Sequence, residues 1–349
     1  MTSKVYVGVK VNKVNVGING FGRIGRQVLR AMLTRHGDTL NVAAVSDLMG
    51  IQDRKYLLQH DTVYGRFPAT VIVDGENLVI DGSPVYQTTP SVVDWKSIGV
   101  DIVVDSSGQV SRSLQRHIFR GASKVIVTVP YSDADATLVY GVNHHKYSEE
   151  HRIISAASCT TTCAATVLKM LDESFGVTYA SLVSLNAYTT SQRLIDSWHN
   201  TERRRGRAAA HNIIPTPSST TKSIVEVLGH SFGKERLSAL AFRVPVICGS
   251  VCRIEARVAK SVRAPDVVND AIRDASVKEY KGMIEYVEDE LVSSDIIGNS
   301  HSAVIDSLLT QCGIGNTISV VAWYDNEYGY ACRVADLVDY IARKTHEHA

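Results

Sequence analysis

No stretch of this 349-residue chain approaches the ~18 consecutive apolar residues that a membrane-spanning helix needs, so a membrane partner is not expected. The opening residues are interrupted by Lys4, Lys10 and Lys13 and lack the apolar core and cleavage site of a secretory leader. Six cysteines are too few for the disulfide framework of a secreted scaffold. Charge of one sign is also lacking. The 37 Lys and Arg residues against 36 Asp and Glu leave a formal +1, which gives no reason to expect nucleic acid as the main partner. A cytoplasmic location is the expectation from these absences. There is no internal repeat and no low-complexity linker.

The spacings Cys159/Cys163 and Cys248/Cys252 raise the question of a zinc site. Structural zinc ligands sit in compact turn-rich knuckles. Here Cys163 enters an apolar helical run and Cys252 lies in a strand-like run, so no metal is expected.

What is present is enough chain for two domains, since single cores stop growing near ~250–300 residues. From Val14 to about Val142 apolar strands alternate with helical stretches: Val14–Ile18, then Ile24–Leu33 with helical spacing, Val42–Val45 ending at Asp47, Ile102–Val104, and Val125–Val129. Strands separated by helices imply parallel pairing with right-handed crossovers. Between Val63 and Val93, alternation around Asp74-Gly75 and Asp81-Gly82 predicts antiparallel hairpins attached to that sheet. After Cys159 the pattern changes. A helix over Thr162–Ser174 precedes long β-rich stretches at Tyr179–Asn186, Ala239–Ile247 and Ser250–Ala259, with the basic loop Arg203-Arg204-Arg205-Gly206-Arg207 between the first two. Arg333–Lys344 carries Val334, Leu337, Val338 and Ile341 on one helical face.

Gly20-Phe21-Gly22-Arg23-Ile24-Gly25 fits G-x-G-x-x-G after a strand and at the opening of a helix. Glycines there let the backbone approach a pyrophosphate, and the helix N-terminus offers free N–H groups. Asp47 ends the next strand, where a carboxylate accepts from the adenosine ribose hydroxyls and repels a 2′-phosphate. NAD is therefore expected over NADP.

Several runs resemble the glyceraldehyde-3-phosphate dehydrogenase family in the same order: Gly17 through Arg26, His60-Asp61-Thr62-Val63-Tyr64-Gly65-Arg66-Phe67, Ala157-Ser158-Cys159-Thr160-Thr161, Phe242-Arg243-Val244-Pro245 and Trp323-Tyr324-Asp325-Asn326-Glu327. The resemblance implies an α/β fold: a Rossmann dinucleotide-binding domain over residues 1–158, an α+β catalytic domain with a large, mostly antiparallel sheet over 159–325, and a C-terminal helix over 326–349 returning to the first domain. It implies a homotetramer that oxidises a small phosphorylated aldehyde with NAD and captures the product with inorganic phosphate. Ser106 and Ser107 would lie near the cofactor, and Asn326 would hold the nicotinamide amide. Thr189 and Arg243 match the site for the substrate's phosphate. Ser158, Thr160 and Ser218, with Arg205, match the site for the attacking phosphate, where Ser219 replaces a family Gly.

Cys159 is the expected nucleophile, since a thiolate adds to an aldehyde carbon and helix N-terminal potential would favour its anion. The departure lies at Asn186. The family has a catalytic His there, and the flanking Ala187-Tyr188-Thr189 sets the register. Asn has no titrating proton, though its amide could donate to an oxyanion. Further departures are Ala156, Thr162, Ser191, Ser219 and Ser197-Trp198. His199 and His211, in the loop and strand beyond Thr189, are not expected to replace the missing imidazole. Three readings stay open: a phosphorylating aldehyde dehydrogenase altered or impaired at Asn186, a related enzyme for erythrose 4-phosphate, or a catalytically weak NAD-binding homologue with a regulatory or binding role.

Overall fold

The computed structural model describes residues 13–109, 114–229 and 232–347; Lys4 and Lys10 fall outside them. β1 (Val14–Asn19), α1 (Arg23–Arg35), β2 (Leu40–Ser46) and α2 (Ile51–Gln59) open the chain. A short hairpin, β3 (His60–Asp61) and β4 (Gly65–Arg66), precedes β5 (Val71–Asp74), β6 (Asn77–Ile80) and β7 (Ser83–Thr88). Then come α3 (Trp95–Ile98), β8 (Ile102–Asp105), α4 (Gln115–Phe119), β9 (Lys124–Val127), β10 (Ala136–Thr137) and β11 (Ile153–Ser155).

These strands form one sheet in the order β10-β11-β9-β8-β1-β2-β7-β6-β5. It is parallel from β10 to β7, and β6 and β5 pair antiparallel at the edge, as the Asp-Gly turns predict. The order turns back on itself at β1, so the mouths of the loops after β1 and β8 lie side by side. That is where a doubly wound sheet leaves a crevice for a ligand.

The second half holds α5 (Cys159–Phe175), β12 (Val177–Ala187), β13 (Ile214–Thr216), α6 (Thr220–Leu228), β14 (Leu237–Val244), β15 (Ser250–Val258), α7 (Pro265–Val277), β16 (Ile284–Val287), β17 (Ala303–Gly313), β18 (Thr317–Tyr324) and α8 (Tyr328–Glu347). Its sheet runs β13-β14-β12-β15-β18-β17-β16. Only β12–β14 and β16–β17 pair in parallel among the described residues, so the sheet is mostly antiparallel as the resemblance implies. One face is covered by α5 and α7, whose Val167, Leu171, Val268 and Ile272 join Ile254, Ile305 and Val320 in a single core. The other core lies under the first sheet, and α8 belongs to it. Val334, Leu337, Val338 and Ile341 pack with Val28, Leu29 and Met32 of α1.

Candidate active site

The glycine-rich turn is shaped by close backbone approach. Gly20 has φ +93°, and a Cβ there would lie 2.5 Å from the Ser107 nitrogen. At Gly25 a Cβ would meet the Gly20 carbonyl oxygen at 2.1 Å. Gly22, the N-cap of α1, faces open space, and no side chain caps the helix there. The first-turn N–H groups therefore face an uncrowded surface, which suits a pyrophosphate.

Around this turn, Asp47 accepts from the Phe21 N–H at 2.6 Å and the Met49 N–H at 2.9 Å, so its carboxylate stands at the mouth of the crevice. Ser106 donates to the Gly20 carbonyl at 2.6 Å, and Ser107 donates to Asp105 at 2.7 Å. Asp105 is in turn held by buried His117 at 3.0 Å. Asn326 accepts from the Gly249 N–H at 3.2 Å and the Ser250 hydroxyl at 3.0 Å, and its amide NH2 has no partner among the described residues. A dinucleotide fits this donor set, with backbone N–H groups for phosphate, a carboxylate for ribose and a free amide for nicotinamide. The Arg23 side chain is committed elsewhere, to Asp61 at 2.5 Å and to Glu327. Ile24, the next residue of α1, packs against the first core, so only the backbone of these two residues faces the crevice.

Cys159 is the first residue of α5, three residues before the predicted start at Thr162. Ser158 is the N-cap, its hydroxyl accepting from the Thr161 N–H at 3.2 Å, which explains why the helix opens there. The preceding Ala157 is buried and left-handed, φ +57°. Its strain is held by the Tyr330 hydroxyl of α8, 3.2 Å from its carbonyl, and by Ser155 on its N–H. This tight turn between β11 and α5 places a half-buried Cys159 at the start of the helix, its thiol enclosed by neighbours.

The expected depression of the thiol is not found. Burial pushes Cys159 up from the usual thiol range, and the Arg243 charge and Thr160 hydrogen bonds offset only part of that. Helix potential in one turn is worth tenths of a kcal/mol to ~1 kcal/mol at exposed sites, too little to win against dense surroundings.

Asn186 ends a buried polar knot. Its Oδ1 accepts from the Tyr324 hydroxyl at 2.8 Å and lies 3.1 Å from the Thr160 hydroxyl. Its Nδ2 donates to the Ser184 hydroxyl at 3.0 Å, with the Phe242 carbonyl at 3.3 Å and the Ser184 carbonyl at 3.4 Å. Turning the amide over would set its oxygen against two carbonyls, so the orientation is determined by its neighbours. The amide donor expected to face an oxyanion is thus spent on the sheet. Tyr324 stands in the Trp-Tyr-Asp-Asn-Glu run without a pattern that marks it as a partner of Asn186, and Ser184 carries no signal beyond lying two residues before Asn186.

The anion candidates lie on four segments of the second half. Thr189, just past β12, bonds Ser191 at 2.9 Å, and its N–H is held by Gln192. Arg243 at the end of β14 donates to the Ala187 carbonyl at 2.8 Å. Arg205 lies in a single turn of 3-10 helix, Arg203–Gly206, bonded to Thr216 at 2.7 Å and paired with Glu202 at 3.1 Å. Ser218 bonds Thr220 at 2.7 Å, and Ser219 is exposed at the N-cap of α6. His199 is occupied by Ser191 and its own loop, and His211 sits in an exposed turn rather than the predicted strand. Neither approaches Cys159 through any hydrogen bond of the described residues.

Comparison with known proteins identifies relatives of the whole chain. Residues 14–113 match the family described as glyceraldehyde 3-phosphate dehydrogenase, NAD binding domain, and residues 158–326 match its C-terminal domain. The chain is 43% identical over 337 residues to glyceraldehyde-3-phosphate dehydrogenase of Geobacillus stearothermophilus, covering 95% of this chain and 99% of the relative. It is 42% identical to that of Priestia megaterium over the same shares and 40% identical to that of Mycobacterium leprae over 340 residues, again 95% and 99%. With NAD as its cofactor, the chain belongs to the glyceraldehyde-3-phosphate dehydrogenase family.

Proposed function

We propose that this protein oxidises a phosphorylated aldehyde, glyceraldehyde 3-phosphate or a close analogue, through a covalent intermediate on Cys159. The carrying observation is a half-buried cysteine at the first residue of α5, hydrogen-bonded to Thr160 and under the influence of the Arg243 charge. The Cys159 sulfur adds to the aldehyde carbon, giving a thiohemiacetal. NAD, when bound, supplies the hydride acceptor. Loss of hydride and of the hydroxyl proton leaves a thioester, which inorganic phosphate cleaves to an acyl phosphate and the free thiol. Thr189 and Arg243 are suited to hold the substrate's phosphate, and Arg205 with Ser158, Thr160, Ser218 and Ser219 the attacking one.

Asn186 neither takes the thiol proton nor offers its amide to the oxyanion, so proton removal falls to solvent. Absence of a positioned base typically costs ~10²–10⁴ in rate. The wiring of the Asn186 amide into the sheet favours a second reading, an NAD-binding homologue with little turnover.

The deciding experiment follows NADH formation with glyceraldehyde 3-phosphate, erythrose 4-phosphate and unphosphorylated aldehydes, with and without phosphate. Phosphate-dependent turnover of a phosphorylated aldehyde is expected, rising by up to ~10²–10⁴ in Asn186→His. No NADH from any phosphorylated aldehyde would leave the binding reading. We also infer a homotetramer working in the cytoplasm. Support for assembly comes from Leu194, Ile195 and Trp198, large apolar side chains 79%, 73% and 77% exposed in one loop.

A further inference from the structure

Cys159 lacks the imidazole partner, but it does not lack a cation. β12 and β14 run parallel with Asn186 level with Arg243. Register-matched residues on neighbouring strands project to the same face of a sheet. Asn186 reaches Thr160 in the first turn of α5, so Arg243 emerges on the face where Cys159 begins that helix. The bond from Arg243 to the Ala187 carbonyl anchors one arm of the guanidinium and leaves the other donors for the pocket.

The charge of Arg243 is also uncompensated. Among the described residues no carboxylate forms an ion pair with it, whereas its neighbour Arg205 is paired with Glu202. The other titratable groups around the sulfur supply no counter-charge. Tyr324, Tyr330 and Cys163 are buried, and each is held protonated by that burial. Cys159 and Arg243 favour each other's charged forms, against the burial that opposes both.

We propose that Arg243 is the counter-ion of the Cys159 thiolate as well as a ligand for the substrate's phosphate, so that an anion bound at Arg243 turns the nucleophile down. The phosphate half of this rests on the aldehyde-dehydrogenase reading above. A neighbouring imidazolium would hold a thiolate whether or not a phosphate was bound, but here both anions draw on one guanidinium. Once sulfur has bonded to the aldehyde carbon no thiolate remains to be stabilised, and Arg243 is released to the phosphate. Free inorganic phosphate should therefore slow the first covalent step even though it is needed for the last.

The test is alkylation of Cys159 in the full chain by iodoacetamide, a neutral reagent, near pH 7. Labelling is read by mass spectrometry of the Cys159 peptide, and inorganic phosphate is compared with chloride at matched ionic strength. In the native chain phosphate should slow labelling severalfold. Arg243→Met should label about tenfold more slowly than native, the change that a one-unit rise in thiol pKa produces. That variant should be indifferent to phosphate, while Arg243→Lys should recover much of the native rate. Native-rate labelling of Arg243→Met overturns the proposal, as does equal slowing by phosphate in native and Arg243→Met, which would mark simple obstruction from another site. NAD binding by each variant serves as the folding control. Should Arg243→Met fail it, a native labelling rate unchanged by saturating phosphate is sufficient to reject the idea. Labelling needs no turnover, so its outcome is separable from that of the NADH assay.

Discussion

At the scale of single residues, Asn186 acts as a structural node whose five contacts hold two buried hydroxyls in place. Asn186→Ala would take the 2.8 Å acceptor from the buried Tyr324 hydroxyl, which keeps Thr160 at 3.0 Å, and the 3.0 Å donor from Ser184, which keeps the Leu240 carbonyl at 3.5 Å. Each net hydrogen bond lost this way costs ~0.5–1.5 kcal/mol. We predict a loss in that range from urea unfolding midpoints, and an unchanged midpoint would show that the knot is not stabilising. Cys159 makes a second prediction. Its thiol is raised, and below the pKa of a thiol the reactive anion grows about tenfold per pH unit. The rate of Cys159 labelling, and of turnover, should therefore climb steeply from pH 7 to 9. A plateau by pH 7 would mean a depressed thiol and would contradict the burial argument.

At the scale of elements, the turn from β1 into α1 depends on absent side chains. Gly25→Ala would drive a methyl group against the Gly20 carbonyl, a rigid backbone atom that cannot give way. The turn must then open, and the N–H groups of α1 lose their aim. We predict at least a tenfold loss of NAD affinity by calorimetry, about 1.4 kcal/mol. Gly22→Ala, at a position where a Cβ meets nothing, should leave the apo-protein's stability nearly unchanged. If Gly25→Ala bound NAD like the native chain, the close contact would not matter for the site. The start of α5 is similar in logic. Ser158 caps the helix that carries Cys159, so Ser158→Ala should cost ~0.5–2 kcal/mol of stability in addition to any effect on phosphate.

Over the whole molecule, α8 returns from the second sheet to the first core and is fastened by charge as well as by packing. Asp336 meets Arg35 at 3.2 Å and His36 at 2.7 Å from the end of α1, and Arg333 at 2.5 Å within α8. Burial alone would raise the Asp336 carboxyl, but His36, Arg333 and Arg35 outweigh it and hold it below the usual carboxylate range. A carboxyl lowered on folding contributes stability that is present above its unfolded pKa near ~3.9 and is lost as pH falls through the folded value. Asp336→Ala leaves buried Arg333 without a counter-charge, and breaking such a group typically costs ~3–5 kcal/mol. We predict a loss of that order at pH 7, narrowing as pH drops toward 3. An equal difference at both pH values would show that packing, not charge, carries the effect.

The alternation of strands and helices from Val14 onward, the Asp-Gly turns and the glycine run followed by Asp47 are local patterns. Backbone sterics and side-chain period act over a few residues, so the parallel sheet, its edge hairpins and the glycine turn between β1 and α1 were legible in the sequence. The order of motifs around Cys159, Arg243 and Asn326 likewise identified the family, and Ala187-Tyr188-Thr189 revealed that the imidazole was gone. What the chain puts in its place was not legible. The direction of the Asn186 amide is decided by carbonyls of Ser184 and Phe242, the latter 56 residues away, and the state of the Cys159 thiol by how densely α5, β14 and β18 close around it. Hydrogen-bond direction and desolvation depend on atoms brought together only by folding, so only the tertiary structure could turn the Asn186 amide into the sheet and raise the Cys159 thiol.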